Sequence, residues 1–127
     1  MLWLGFVTIA ALIEYMVLGV MVGRARVKYG VAAPATTGHP MFERYFRVHQ
    51  NTLEVLVVFI PGLWLFAQYV SAGAAVALGI AFVAARVVYA ASYLEDPERR
   101  TAGAIATMLV NTVLVVGSLI GVIWRAL

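Results

Sequence analysis

The sequence predicts an all-α integral membrane protein, an antiparallel bundle of four transmembrane helices. Three observations carry that reading. Hydrophobic residues make up 64% of the 127-residue chain, charged residues only 12%, and the mean hydropathy is +0.95. Soluble domains run near about 45–50% apolar and about 25% charged, so this chain belongs to another solvent. Its apolar residues gather in four long runs, and at about 20 residues per span, four spans use about 80 residues. Within the runs, apolar and polar residues do not alternate, which excludes transmembrane strands. A composition this apolar also excludes disorder. The remainder is too short for a separate soluble domain, so residues 1–127 read as one membrane domain.

The first helix is expected from about Trp3 to Val22. It lacks a basic leading region and carries Glu14, which speaks against a cleaved signal peptide. Gly23 to Pro40 reads as a polar connection, with Arg24, Arg26 and Lys28 followed by the loop formers Pro34, Thr36, Thr37, Gly38 and Pro40. The second helix runs from about Met41 to Tyr69, polar in its first third and apolar thereafter. Ser71-Ala72-Gly73 forms a tight turn, and the third helix runs from about Ala74 to Tyr93. Leu94 to Arg100 is a charged loop containing Pro97, and the fourth helix covers Thr101 to Trp124. Pro61-Gly62 is expected to kink the second helix. The Ala- and Gly-rich third helix suits close packing. Trp3, Trp64 and Trp124 fit interfacial or lipid-facing positions.

Charge sets the expected orientation. The first and third connections and the adjoining helix ends hold Arg24, Arg26, Lys28, Arg44, Arg47, Arg86, Arg99 and Arg100, and the other side holds only Arg125. The positive-inside rule then places both termini outside and the charged connections in the cytoplasm. The net charge of +3 is this topological signal, with no separate basic face for nucleic acid. The chain has no cysteine, so it has no disulfide, thiolate metal site or cysteine nucleophile of its own. Its two histidines, His39 and His49, are too few for a zinc site.

Polar residues inside the bilayer are costly and are therefore functional candidates. Here they converge at one depth. Arg47, Asn51 and Glu54 stand at i, i+4 and i+7 near the cytoplasmic end of the second helix and share a face. Arg86, Tyr89 and Tyr93 stand at i, i+3 and i+7 near the same end of the third. Arg26 and Arg100 flank them. Arg24, Lys28, Arg44 and Arg99 read instead as cations snorkelling to headgroups. Arginines suit carboxylates, a Glu suits an ammonium, and tyrosines pack and hydrogen-bond at once. A small zwitterionic acid with two carboxylates and one amine fits such a pocket. Glutathione is one molecule of that class, and the chemistry alone does not single it out. Glu14 and Asn111 read as interhelical glue, possible partners of each other.

The segment Phe42-Glu43-Arg44-Tyr45-Phe46-Arg47-Val48-His49-Gln50-Asn51-Thr52-Leu53-Glu54 resembles the second-helix signature of the MAPEG family, the membrane-associated proteins in eicosanoid and glutathione metabolism. In that pattern an Arg is followed by Asn four residues on and Glu three further. Thr36-Thr37-Gly38-His39-Pro40 is similar to the family's first loop, and Ala85-Arg86-Val87-Val88-Tyr89 with Tyr93 to its third helix. The likeness extends from about Arg24 to Arg100. It implies a homotrimer with glutathione between subunits near the cytoplasmic face, and no metal. It also implies that Arg26, Arg47, Asn51, Glu54, Tyr89 and Tyr93 hold the tripeptide. His49 joins them at the position of a family glutamine. Arg100 falls where the transferases carry the arginine that stabilises the thiolate, with Arg99 adjacent. Arg86 matches a recurrent arginine of structural or supporting kind.

The chain departs from the family's eicosanoid-type members at Val55, where they carry a glutathione-contacting Tyr, at His49, and at Val27, which replaces one arginine of a pair. These departures point away from leukotriene synthesis. The implied function is a detoxifying membrane glutathione transferase, with peroxidase activity open to the same thiolate, acting on lipophilic electrophiles or lipid hydroperoxides drawn from the membrane lipids. The short loops point to a bacterial inner-membrane protein with periplasmic termini. Two other readings compete. One is a non-enzymatic lipid- or partner-binding member of the same fold. The other is a small multidrug exporter built on Glu14, against which the strong cationic bias and the polar second-helix face both count.

Overall fold

The computed structural model describes all 127 residues. Four long helices account for most of the chain: α1 Leu2–Tyr29, α2 Pro40–Tyr69, α3 Ala72–Glu95 and α4 Thr101–Ala126. A short 3-10 turn, Pro97–Arg100, leads into α4. Each helix is long and apolar enough to cross a membrane. This is the architecture the sequence predicts, and the chain is a multi-pass integral membrane protein.

The largest departure from expectation is the end of α1. The helix continues through Arg24, Arg26 and Lys28, the stretch read as a connection, and stops at Gly30. Arg, Lys and Ala are good helix formers once the apolar run has set the helix going. Termination waits for a residue that tolerates positive φ, and Gly30 caps the helix at φ 68°. The start of α2 is written locally. His39 is its N-cap, Pro40 occupies the first turn, and His39 Nδ1 accepts a hydrogen bond from the Met41 amide at 3.1 Å. Ser71 caps α3 in the same way, accepting from the Ala74 amide at 3.2 Å. Arg44 closes the far end of α3, donating to the carbonyls of Leu94 and Glu95 at 3.2 and 3.1 Å. Arg44 is thus a helix C-cap rather than a headgroup anchor.

Helices α2 and α3 form the middle of the bundle. Each packs on the other and on both α1 and α4, which lie on opposite flanks. Leu4, Phe59, Leu63, Phe82 and Leu114 build the central core, with the Phe59 and Phe82 rings stacked 3.7 Å apart. α2 runs as one helix through Pro61. Small residues set the closest approaches: a Cβ at Gly62 would lie 3.4 Å from Leu114 Cβ, and one at Gly103 would lie 2.6 Å from the Tyr89 backbone. Trp3 and Trp124 face outward, but Trp64 is half-buried and donates to Thr8 Oγ1 at 3.1 Å, tying α2 to α1. Only 26 of 127 residues are buried, so most of the apolar surface is left for lipid or for other subunits.

Candidate functional site

The cap at His39 fixes the register of α2, and Arg47 and Asn51 then fall on the face that meets α3 and α4. On α3, Tyr89 and Tyr93 are one turn apart, with ring centroids 5.7 Å from each other. The 3-10 turn delivers Arg100 to the same place, its guanidinium 6.0 Å from the Tyr93 ring centroid. These five residues and Ala104 line a largely polar cavity of about 220 Å³ at the end of the bundle that holds the charged connections. Two guanidinium groups, two phenols and an amide can bind carboxylates and stabilise a small anion.

Arg99 does not share this cavity. It turns to Glu95 at 3.1 Å and Asp96 at 3.9 Å on the exposed surface. Arg86 sits deeper, with 1% of its surface exposed. Its Nη2 donates to Thr52 Oγ1 at 2.8 Å, and its guanidinium lies 4.1 Å from the Tyr89 ring centroid. It helps line a second cavity of about 380 Å³ that runs on between α2 and α4. Asn51 and Ala104 belong to both cavities, so the two adjoin.

Three of the expected site residues lie elsewhere in the chain. Arg26 donates to the Ala35 carbonyl at 2.7 Å and lies 4.7 Å from the Phe42 ring centroid, bracing the connection after α1. His49 turns toward α1 and stacks on Tyr15 with centroids 4.4 Å apart. Glu54 is exposed on α2 and lines none of the main cavities. Asn111 is not the partner of Glu14. Its Nδ2 donates to the Val55 carbonyl at 3.2 Å, because α4 meets α2 and not α1.

The sequence reading overlooked Thr52 and Gly103. Thr52, 1% exposed, accepts from Arg86 and donates to the Val48 carbonyl at 2.8 Å. Its signal was available: a buried intramembrane arginine needs an acceptor at its own depth. Gly103 left no comparable signal, since only the packed structure shows the α3 backbone against it.

Fold and cavity together define a four-helix membrane protein with a cationic, tyrosine-lined pocket at one end. The chain belongs to the MAPEG family, whose sequence model matches residues 4–120. It is 46% identical over 125 residues to an uncharacterised protein of Synechocystis, covering 98% of this chain and 91% of that one. It is 42% identical over 106 residues to microsomal glutathione S-transferase 2 of Mus musculus, covering 84% and 72% of the two chains. Leukotriene C4 synthase of Cavia porcellus is 32% identical over 99 residues, covering 78% and 66%.

Proposed function

We propose that this protein is a membrane-bound glutathione transferase, acting as a homotrimer. The observation that carries the reading is the cavity that gathers Arg47, Asn51, Tyr89, Tyr93 and Arg100, in a chain whose relatives include named glutathione transferases. In this reading Arg47 pairs with a glutathione carboxylate, Asn51 and the two tyrosines hydrogen-bond the peptide, and Arg100 faces the sulfur. A cation beside a thiol raises its thiolate fraction. The thiol proton leaves to solvent. The thiolate then attacks an electrophilic carbon, a C–S bond forms, and the leaving group departs with its electron pair. With a lipid hydroperoxide, the thiolate attacks oxygen and the O–O bond breaks. The alkoxide takes a proton, and the thiol of a second glutathione displaces the hydroxyl of the resulting sulfenic acid, giving glutathione disulfide and water. A lipophilic co-substrate is concentrated by the bilayer, and holding the two reactants together lowers the barrier further.

The placement of Arg26, His49 and Glu54 supports the trimer. Arg26 and His49 face the α1 side of the chain, and Glu54 projects outward. A site completed by Arg26 and His49 of a neighbouring subunit accounts for both sets of residues. The charge distribution supports a cytoplasmic site with both termini on the opposite side, and the Synechocystis relative supports a bacterial inner membrane with periplasmic termini.

The test is conjugation of glutathione to chlorodinitrobenzene by the purified protein in detergent, alongside Arg47→Ala and Arg100→Ala. Conjugation by the parent, weakened glutathione binding in Arg47→Ala, and retained binding with strongly reduced turnover in Arg100→Ala are the expected results. Failure of the parent protein to bind glutathione would overturn the proposal.

A further inference from the structure

Two ionisable groups in the middle of the bundle are left over by this site. Glu14, halfway along α1, has both carboxylate oxygens buried with no hydrogen-bond partner. Arg86, on α3, is buried with its Nε unpartnered. The packing of the two helices shows how they relate. α1 and α3 run in the same direction through the bundle, because each is followed by an antiparallel neighbour. A Cβ at Gly79 would lie 2.4 Å from Val7 Cγ1, so position 7 faces position 79. Seven residues is two turns. Two turns further on, Glu14 of α1 therefore faces Arg86 of α3. One turn beyond, Leu18 packs with Tyr89 in a common buried cluster. Each charge also lies in the other's field. Asn111, the partner the sequence suggested for Glu14, is committed to α2.

We propose that Glu14 is the intramembrane counter-ion of Arg86 and, through it, a positioning residue for Tyr89 in the glutathione pocket. A lone guanidinium or carboxylate at this depth is costly, whereas a facing pair is neutral. Arg86 is held on one side by Thr52 and lies against the Tyr89 ring on another. The two groups are not in direct contact, the Arg86 Nε and both Glu14 oxygens being left without a hydrogen-bond partner, and the Glu14 carboxylate supplies its charge from the facing turn of α1. Removing it frees the guanidinium to swing toward the adjoining cavity, which shares Asn51 with the pocket. Tyr89 then loses the group that fixes its ring.

The catalytic part of this inference rests on the glutathione reading, and the experiment separates the two. In the conjugation assay, Glu14→Gln is expected to raise the KM for glutathione by about tenfold, the loss of about one hydrogen-bonding contact. The kcat should change little, since Arg100 is untouched. Glu14→Asp should recover part of the loss. Glu14→Gln combined with Arg86→Met should be no worse than Arg86→Met alone, because the two act as one unit. An unchanged KM in Glu14→Gln, or additive effects in the double variant, would overturn the positioning role. Infrared difference spectra of parent minus Glu14→Gln, at mildly alkaline pH, test the pair without any assay or any Arg86 variant. An ionised Glu14 shows no protonated-carboxyl stretch, and the appearance of that band would overturn the ion pair. A parent that binds no glutathione would sink the proposed function and the positioning role together, and leave the infrared result to judge the pair.

Discussion

Adjacent arginines at the start of α4 have opposite surroundings. Arg99 spends its charge on Glu95 and Asp96 in the open, an arrangement worth little. Arg100 lines the pocket. Arg99→Ala should therefore leave conjugation within about twofold of the parent, while Arg100→Ala should lower kcat by about a hundredfold, typical for loss of a group that stabilises a developing anion. Steady-state kinetics of the two variants, side by side, check this. Thr52 gives a stability prediction. Thr52→Val keeps the shape but leaves Arg86 Nη2 without its 2.8 Å acceptor, and should cost about 1–3 kcal/mol, read as a lowered Tm in detergent. Thr52→Ser should retain most of it. Arg47, Asn51, Tyr89, Tyr93 and Arg100 were legible as a set, because helical spacing and shared depth can be counted in the sequence. The directions of His49, Arg26 and Glu54 were not; Glu54 shares the counted spacing yet is exposed outside the cavity. Spacing says which residues share a face, but the neighbour that face meets is a property of the assembled bundle.

The elements themselves were largely legible, since four apolar runs can only be four spans. The end of α1 lies beyond the expected one because polarity alone does not stop a helix, and termination needed Gly30. What the sequence could not convey is how closely the helices approach. At Gly103, a Cβ would lie 2.6 Å from Tyr89 Cα and N, atoms of a helix backbone that cannot turn aside. Gly103→Ala must push the start of α4 off α3, and the start of α4 carries Arg100. Overpacking of this kind costs about 1–3 kcal/mol, so both a lowered Tm and a large loss of conjugation are expected. Gly5→Ala is the control. A Cβ there meets nothing within 4 Å of the chain, and relief of glycine's flexibility in a helix is worth about 0.5–1 kcal/mol. Its Tm should hold or rise slightly, with activity unchanged.

At the scale of the whole molecule, the bundle is incomplete in a directional way. α1 exposes Leu2, Phe6, Ile9, Ile13, Met16 and Val20 along its outer side, and α4 exposes Met108, Leu109, Leu119 and Ile120. Helices on opposite flanks present different surfaces, and contacts between unlike surfaces build closed rings when the rotation closes. The proposed trimer is such a ring, with each pocket using Arg47 of one subunit and Arg26 of the next. That arrangement has a consequence no single-chain site shares. Arg26→Ala and Arg47→Ala homotrimers should each be impaired in every pocket. When the two chains are co-expressed in equal amounts and assort at random, a pocket is whole if the subunit giving Arg47 carries the Arg26 change and its neighbour carries the Arg47 change. About one pocket in four meets that condition. Mixed trimers, isolated by tandem purification on two different tags, each hold one whole pocket of three and should regain about a third of parental conjugation, or about a quarter across the unfractionated population. A site built within one chain predicts no recovery at all, since every chain then carries a broken pocket.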